Sequence, residues 1–145
     1  MTRLLIDTSV VLKWFHSDGE AELVEARTLR TAHLRGDATA HVLDLGLYEV
    51  GNVLVRALGW SAGDVADQLD DLLEILGTPM VVTNLWLRDA AVLATTHGLT
   101  FNDAAWAAAA RGLGISLVSA HRQLLAADLA ESPTDAVRRL RFSPH

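Results

Sequence analysis

The sequence predicts an α/β domain in which a mainly parallel sheet of four or five strands lies between two layers of helices. Two observations predict this. Short apolar, often β-branched runs alternate with longer segments of helical periodicity, the pattern of βαβ units. The chain has 145 residues, 50% hydrophobic and 21% charged, enough to bury one sizeable core and far from the composition of a disordered segment. Right-handed crossovers then place helices on both faces of the sheet. No internal repeat, low-complexity segment or linker divides the chain, so 1–145 reads as one domain.

Leu4-Leu5-Ile6 is a buried strand ending at Asp7. Thr8 and Ser9 offer caps for a helix to Phe15, and Ser17-Asp18-Gly19 is a turn. Residues 21–34 carry helical spacing, Gly36-Asp37 turns the chain, and 38–42 is a weak strand. A helix over 45–58 places Leu47, Val50, Val53, Leu54 and Leu58 on one stripe and stops at Gly59. The next helix, 61–76, places Val65, Leu69, Leu72, Leu73 and Leu76 on its buried side, presents Asp64, Asp67, Asp70, Asp71 and Glu74 to water, and closes at Gly77. PMVVT (79–83) reads as a strand and Asn84 as the cap of a helix to His97. An Ala-rich helix spans 103–111, a strand 115–118 and a last helix 121–129. Pro133 and Pro144 bracket a tail (133–145) in which 137–142 offers an edge strand.

Net charge is −6 and the pI about 5.4, which excludes a general nucleic-acid coat, because phosphate needs positive surface. Such a chain approaches phosphate only where a cation or basic partner supplies charge. The absence of Cys excludes disulfides, zinc–thiolate sites and a catalytic thiol. Asp7 breaks the first apolar run and no cleavage site follows, so no signal peptide is read. No stretch of eighteen apolar residues exists, and the expected address is the cytoplasm.

Ligands of open parallel sheets gather beyond the carboxyl ends of the strands. Asp7 and His121 fall there. Taken alone, Asp7 reads first as a cap of the helix that follows. Glu49 interrupts an apolar stripe with no cation at helical spacing, so it is either partnered or on the helix edge. Asp103, which opens the Ala-rich helix, alone reads as a cap favoured by the helix dipole. Converging, the three carboxylates repel and need a cation. The oxygen-seeking ion that suits them is Mg²⁺ or Mn²⁺.

These residues also carry a family resemblance. LLIDTSVVL, LYEVGNVLVR and HGLTFNDAAWAAAARGLGISLVSAHRQLL match, in order, the motifs of a PIN domain, and the chain most resembles the VapC-type toxin ribonucleases of bacterial toxin–antitoxin pairs. The resemblance runs from residue 3 to about 126. It implies an endoribonuclease in which Asp7, Glu49 and Asp103 are catalytic and hold Mg²⁺ or Mn²⁺, with Ser9 and Ser119 orienting the carboxylates. It also implies a VapB-like antitoxin, an RNA substrate such as transfer or ribosomal RNA, and a homodimer. One position departs. His121 stands where the family has a fourth Asp, removing one negative charge. His121 either joins the metal shell or is a solvent-facing cap, and its presence opens the alternative of a weak or inactive PIN-fold binding module. A third reading, an aspartyl phosphatase with Asp7 as nucleophile, is disfavoured because Ser9 stands where such enzymes carry a second Asp. Arg122 is the expected substrate contact, ahead of Arg56 and Arg111. The four Trp residues, the acidic helix face and His16, His33, His41 and His97 read as structural or exposed.

Overall fold

A computed structural model describes residues 2–15 and 21–141; the expected turn at 17–19 and His16 lie outside the described residues. Strand β1 (Arg3–Ile6) is central, with β2 (Thr39–His41) and β3 (Ser116–Val118) parallel on either side. Leu5 pairs with His41 on one flank and Leu117 on the other. Successive side chains of a strand face opposite ways, so β1 divides the core into two. Leu5 packs with Trp106, Leu93 and a run of alanines. Leu4 and Ile6 pack with Val10, Trp14, Leu29 and Leu54. This is the α/β/α sandwich the sequence predicts.

Among the described residues eight α-helices surround the sheet: α1 (Thr8–Val11), α2 (Leu23–Arg35), α3 (Asp44–Asn52), α4 (Ala62–Leu76), α5 (Asn84–His97), α6 (Phe101–Leu113), α7 (Arg122–Ala126) and α8 (Pro133–Leu140). In α6 every residue from Ala104 to Ala110 is buried. Small side chains let this helix lie close to the sheet, and Gly112 leaves room for the Trp86 indole of α5, which a Cβ would meet at 2.2 Å. His33 ties three elements together: Nδ1 accepts from Ala40 N at 3.0 Å, and Nε2 lies 2.6 Å from the Ile75 carbonyl oxygen. The acidic residues of α4 are exposed, as expected of a solvated face.

The flanking strands are reduced to single bridges. Segment 79–83 pairs only through Met80, with Leu43, by two hydrogen bonds. Pro79 has no N–H to extend the ladder, and Thr83, not Asn84, already caps α5, so no strand develops. The expected edge strand at 137–142 is a helix over 133–140. Ser132 accepts from Asp135 N, Pro133 occupies the first turn, and Arg138 and Arg139 sit in the last, a full set of helix signals. Glu131 makes the bridge to β3 instead. The helix after His121 stops at Ala126, well short of 129, because Asp128 adopts a left-handed backbone (φ 58°). The helix expected over 45–58 is α3 followed by a π turn, Val53–Ala57.

Candidate active site

Asp7 and Ser119 follow adjacent strands, and Asp7 N donates to the Val118 carbonyl at 3.1 Å, so the two side chains emerge at one end of the sheet. Asp7 is also the N-cap of α1, its Oδ1 accepting from Ser9 N at 3.0 Å. The capping reading and the site reading therefore both hold. The Ser9 hydroxyl donates to the same oxygen and accepts from Ala120 N. Ser119, fully buried, adds a further side-chain bond to Asp7 while its Oγ accepts from His121 N. Asp7 is only 4% exposed. Burial pushes its carboxyl up to about 6, from an ordinary 3.8, against the lowering pull of the Ser119 and Ser9 bonds.

Glu49, half-buried on α3, has two donors on Oε1: Thr8 Oγ1 at 2.8 Å and Trp106 Nε1 at 2.9 Å. Neither was expected from the sequence. The available signal was Trp106 three residues after Asp103, one large side chain among alanines on the same helical face. Gly46 makes the contact possible: a Cβ there would stand 3.0 Å from Trp106 Cη2 and 2.8 Å from Val42 Cγ2. Asp103 lies in the first turn of α6, whose cap is Thr100 rather than Asp103. Its Oδ2 faces His121 Nε2 at 3.1 Å. The His121 Nδ1 is buried without a hydrogen-bond partner.

Asp7, Ser9, Glu49, Asp103, Trp106 and His121 all line one cleft of about 220 Å³. Arg122 is exposed and outside that lining, and Asp128 and Arg111 line a different cavity beside β3. Among the described residues no three acidic or histidine side chains are drawn together closely enough to hold an ion as they stand. The donor set nevertheless fits a divalent oxygen-seeking cation in kind. It offers three carboxylates in one cleft, one of them buried and short of compensating positive charge. Asp103 is paired with His121 as the site stands.

Trp14 and Trp86 are spent on packing, Trp14 buried with Nε1 on the Ala26 carbonyl and Trp86 against Gly112; Trp60 packs against Phe15 with ring centroids 6.3 Å apart, and only Trp106 of the four lines the cleft. Among the described residues no helix is long and apolar enough to cross a membrane.

The PIN domain family model matches residues 4–129. Ribonuclease VapC3 of Pyrobaculum aerophilum is 30% identical over 126 residues, covering 84% of this chain and 92% of that protein. The crystal structure of VapC20 from Mycobacterium tuberculosis, a sarcin-ricin loop cleaving toxin, shares the fold with a TM-score of 0.68 at 21% identity, over 86% of this chain and 94% of the other. VapBC2 from Rickettsia felis, solved bound to a DNA fragment from its promoter, matches with a TM-score of 0.66 at 14% identity, over 90% and 97% of the two chains. With motif order, sheet topology and the family match in agreement, this chain belongs to the PIN domain family and groups within it with the VapC proteins.

Proposed function

We propose that this chain is a metal-dependent endoribonuclease and the cytoplasmic toxin of a toxin–antitoxin pair. The observation that carries the reading is the convergence of Asp7, Glu49 and Asp103, from three separate elements, on one small cleft at the carboxyl ends of the strands. Asp7 and Asp103 would hold Mg²⁺ or Mn²⁺ directly, with Glu49 binding it or a water beside it. Such an ion, when bound, supplies an acidified water and offsets charge on the phosphoryl group being attacked. The chain's own residues do the positioning. Ser9 and Ser119 fix the Asp7 carboxylate, and Thr8 and Trp106 pin Glu49 through one oxygen. The fold kinship with VapC20 supports RNA as substrate, and the kinship with VapBC2 supports an antitoxin partner. Exposed Tyr48, Val81 and Leu85 offer apolar surface for a homodimer.

The test is incubation of purified protein with structured RNA and Mg²⁺ or Mn²⁺, alongside EDTA and Asp7→Asn. Cutting that needs metal and Asp7 supports the enzyme. RNA or partner binding with no cutting supports the second reading, a PIN-fold binding module. That reading is favoured by the His121–Asp103 pair, which occupies Asp103 as the site stands. The aspartyl phosphatase reading stays disfavoured: Ser9 is committed to orienting Asp7.

A further inference from the structure

The catalytic cleft continues into a second, larger groove. It shares Glu49 and Val53 with the cleft and is completed by Asn52, Arg56, Ala57 and Asn102, enclosing about 420 Å³. Two features set it apart from ordinary surface. Asn52 and Arg56 stand three and seven residues beyond Glu49, so one helical face runs from the cleft into the groove. That helix is interrupted there by the π turn Val53–Ala57, a rare geometry frequent at functional sites. Arg56 is exposed and pairs with no acidic side chain among the described residues, although Glu49 lines the same groove. In a chain of net charge −6 this leaves, in the groove next to the three-carboxylate cleft, a guanidinium whose donors are open to an outside anion.

Resting on the ribonuclease reading, we infer that this groove is the subsite for the single-stranded RNA flanking the scissile phosphate, with Arg56 on a neighbouring phosphate and Asn52 and Asn102 on base edges. A guanidinium matches phosphate as a two-pronged donor. A side-chain amide offers a donor and an acceptor together, the pair that a base edge complements. About 10 Å of helix separates Glu49 from Arg56, which places the arginine beyond the bond being cut. Arg56, rather than Arg122, is therefore the substrate contact.

The test measures anisotropy of fluorescein-labelled eight-nucleotide oligo(A) and oligo(U) on an Asp7→Asn background in Mg²⁺ buffer, across a salt series. In parallel, KM and kcat are measured for the cleavage-competent protein. Arg56→Gln is expected to weaken binding five- to tenfold at 0.1 M salt, to flatten the log K against log salt slope by about 0.7, and to raise KM with kcat held. Asn52→Ala and Asn102→Ala change the ratio of oligo(A) to oligo(U) affinity with the slope intact. Arg56→Gln binding within twofold of its parent with the same slope, or the loss appearing in Arg122→Gln instead, overturns the subsite while wild-type cutting leaves the nuclease standing. An unaltered chain that neither binds nor cuts RNA removes both.

Discussion

Asp7 and Asp103 line the same cleft but are held in opposite ways. Asp7 is fixed by backbone-scale features: the end of the central strand, the cap of α1, and two serines whose hydroxyls are themselves bonded to the chain. It has no room to move, and its charge is expensive where it stands. Asp103 meets the site through one contact, to a histidine whose side chain is 40% exposed and whose other ring nitrogen has no partner. Backbone geometry sets the first corner and side-chain choice sets the second. The Asp7 corner is a preformed anchor, and the Asp103–His121 rim rests on a single side-chain contact.

The largest expected effect breaks the anchor. Asp7→Asn lowers RNA cleavage by about 10³-fold, the several kcal/mol that a metal-held carboxylate contributes. The same change makes the protein more stable. The Asp7 carboxyl titrates higher folded (about 6) than unfolded (3.8), so ionising it opposes folding. That penalty is absent below pH 4, develops between pH 4 and 6, and is complete above. Melting curves should show the variant about 3 kcal/mol more stable at pH 7 and nearly equal to its parent at pH 3.5. A variant no more stable at pH 7 would refute the buried-charge account of this corner.

Next in size is Gly46→Ala. Its methyl would overlap Val42 and crowd Trp106, costing about 2 kcal/mol and moving the indole that holds Glu49. Urea midpoints measure the loss, and cleavage should fall with it; full activity would mean that Glu49 does not depend on Trp106. His121→Asp sharpens the comparison from the other side. It removes the imidazole partner of Asp103 and restores a carboxylate, so Mg²⁺ should bind about tenfold more tightly by calorimetry and cleavage in Mg²⁺ should rise. Unchanged or weaker Mg²⁺ binding would place His121 outside the metal's surroundings. Smallest is Trp106→Phe, which deletes one hydrogen bond to Glu49 for about 1 kcal/mol at constant m-value. A loss of the same size when Trp106→Phe is made in a Glu49→Ala background would show the bond to be worth nothing.

Much of the fold was legible because its signals are local. The Leu4–Ile6 run, the Ser61 helix start and the glycines at 36, 77, 98 and 114 are read from a few neighbouring residues, and each of those glycines adopts the positive φ that stops its helix. Where local signals competed, the sequence reading chose wrongly. The apolar letters of 137–142 outweighed the Ser132-Pro133 helix start, and PMVVT looked like a strand although its proline cannot extend a ladder. At the site, Asp7, Glu49 and Asp103 are marked by type and by motif order.

The sequence by itself determined the alternation of strands and helices, the two-faced central strand, the family motifs and the three carboxylates with the histidine among them. Only the tertiary structure decided that Thr8 and Trp106 converge on one oxygen of Glu49, that His121 pairs with Asp103, and that Arg56 lines the groove adjoining the cleft while Arg122 lines neither. The division has a physical cause. Caps, turns and periodicity depend on residues within one or two helical turns of each other. Hydrogen bonds such as the one from Trp106 to Glu49 join positions 57 residues apart, and their partners are fixed only when the helices pack across the sheet.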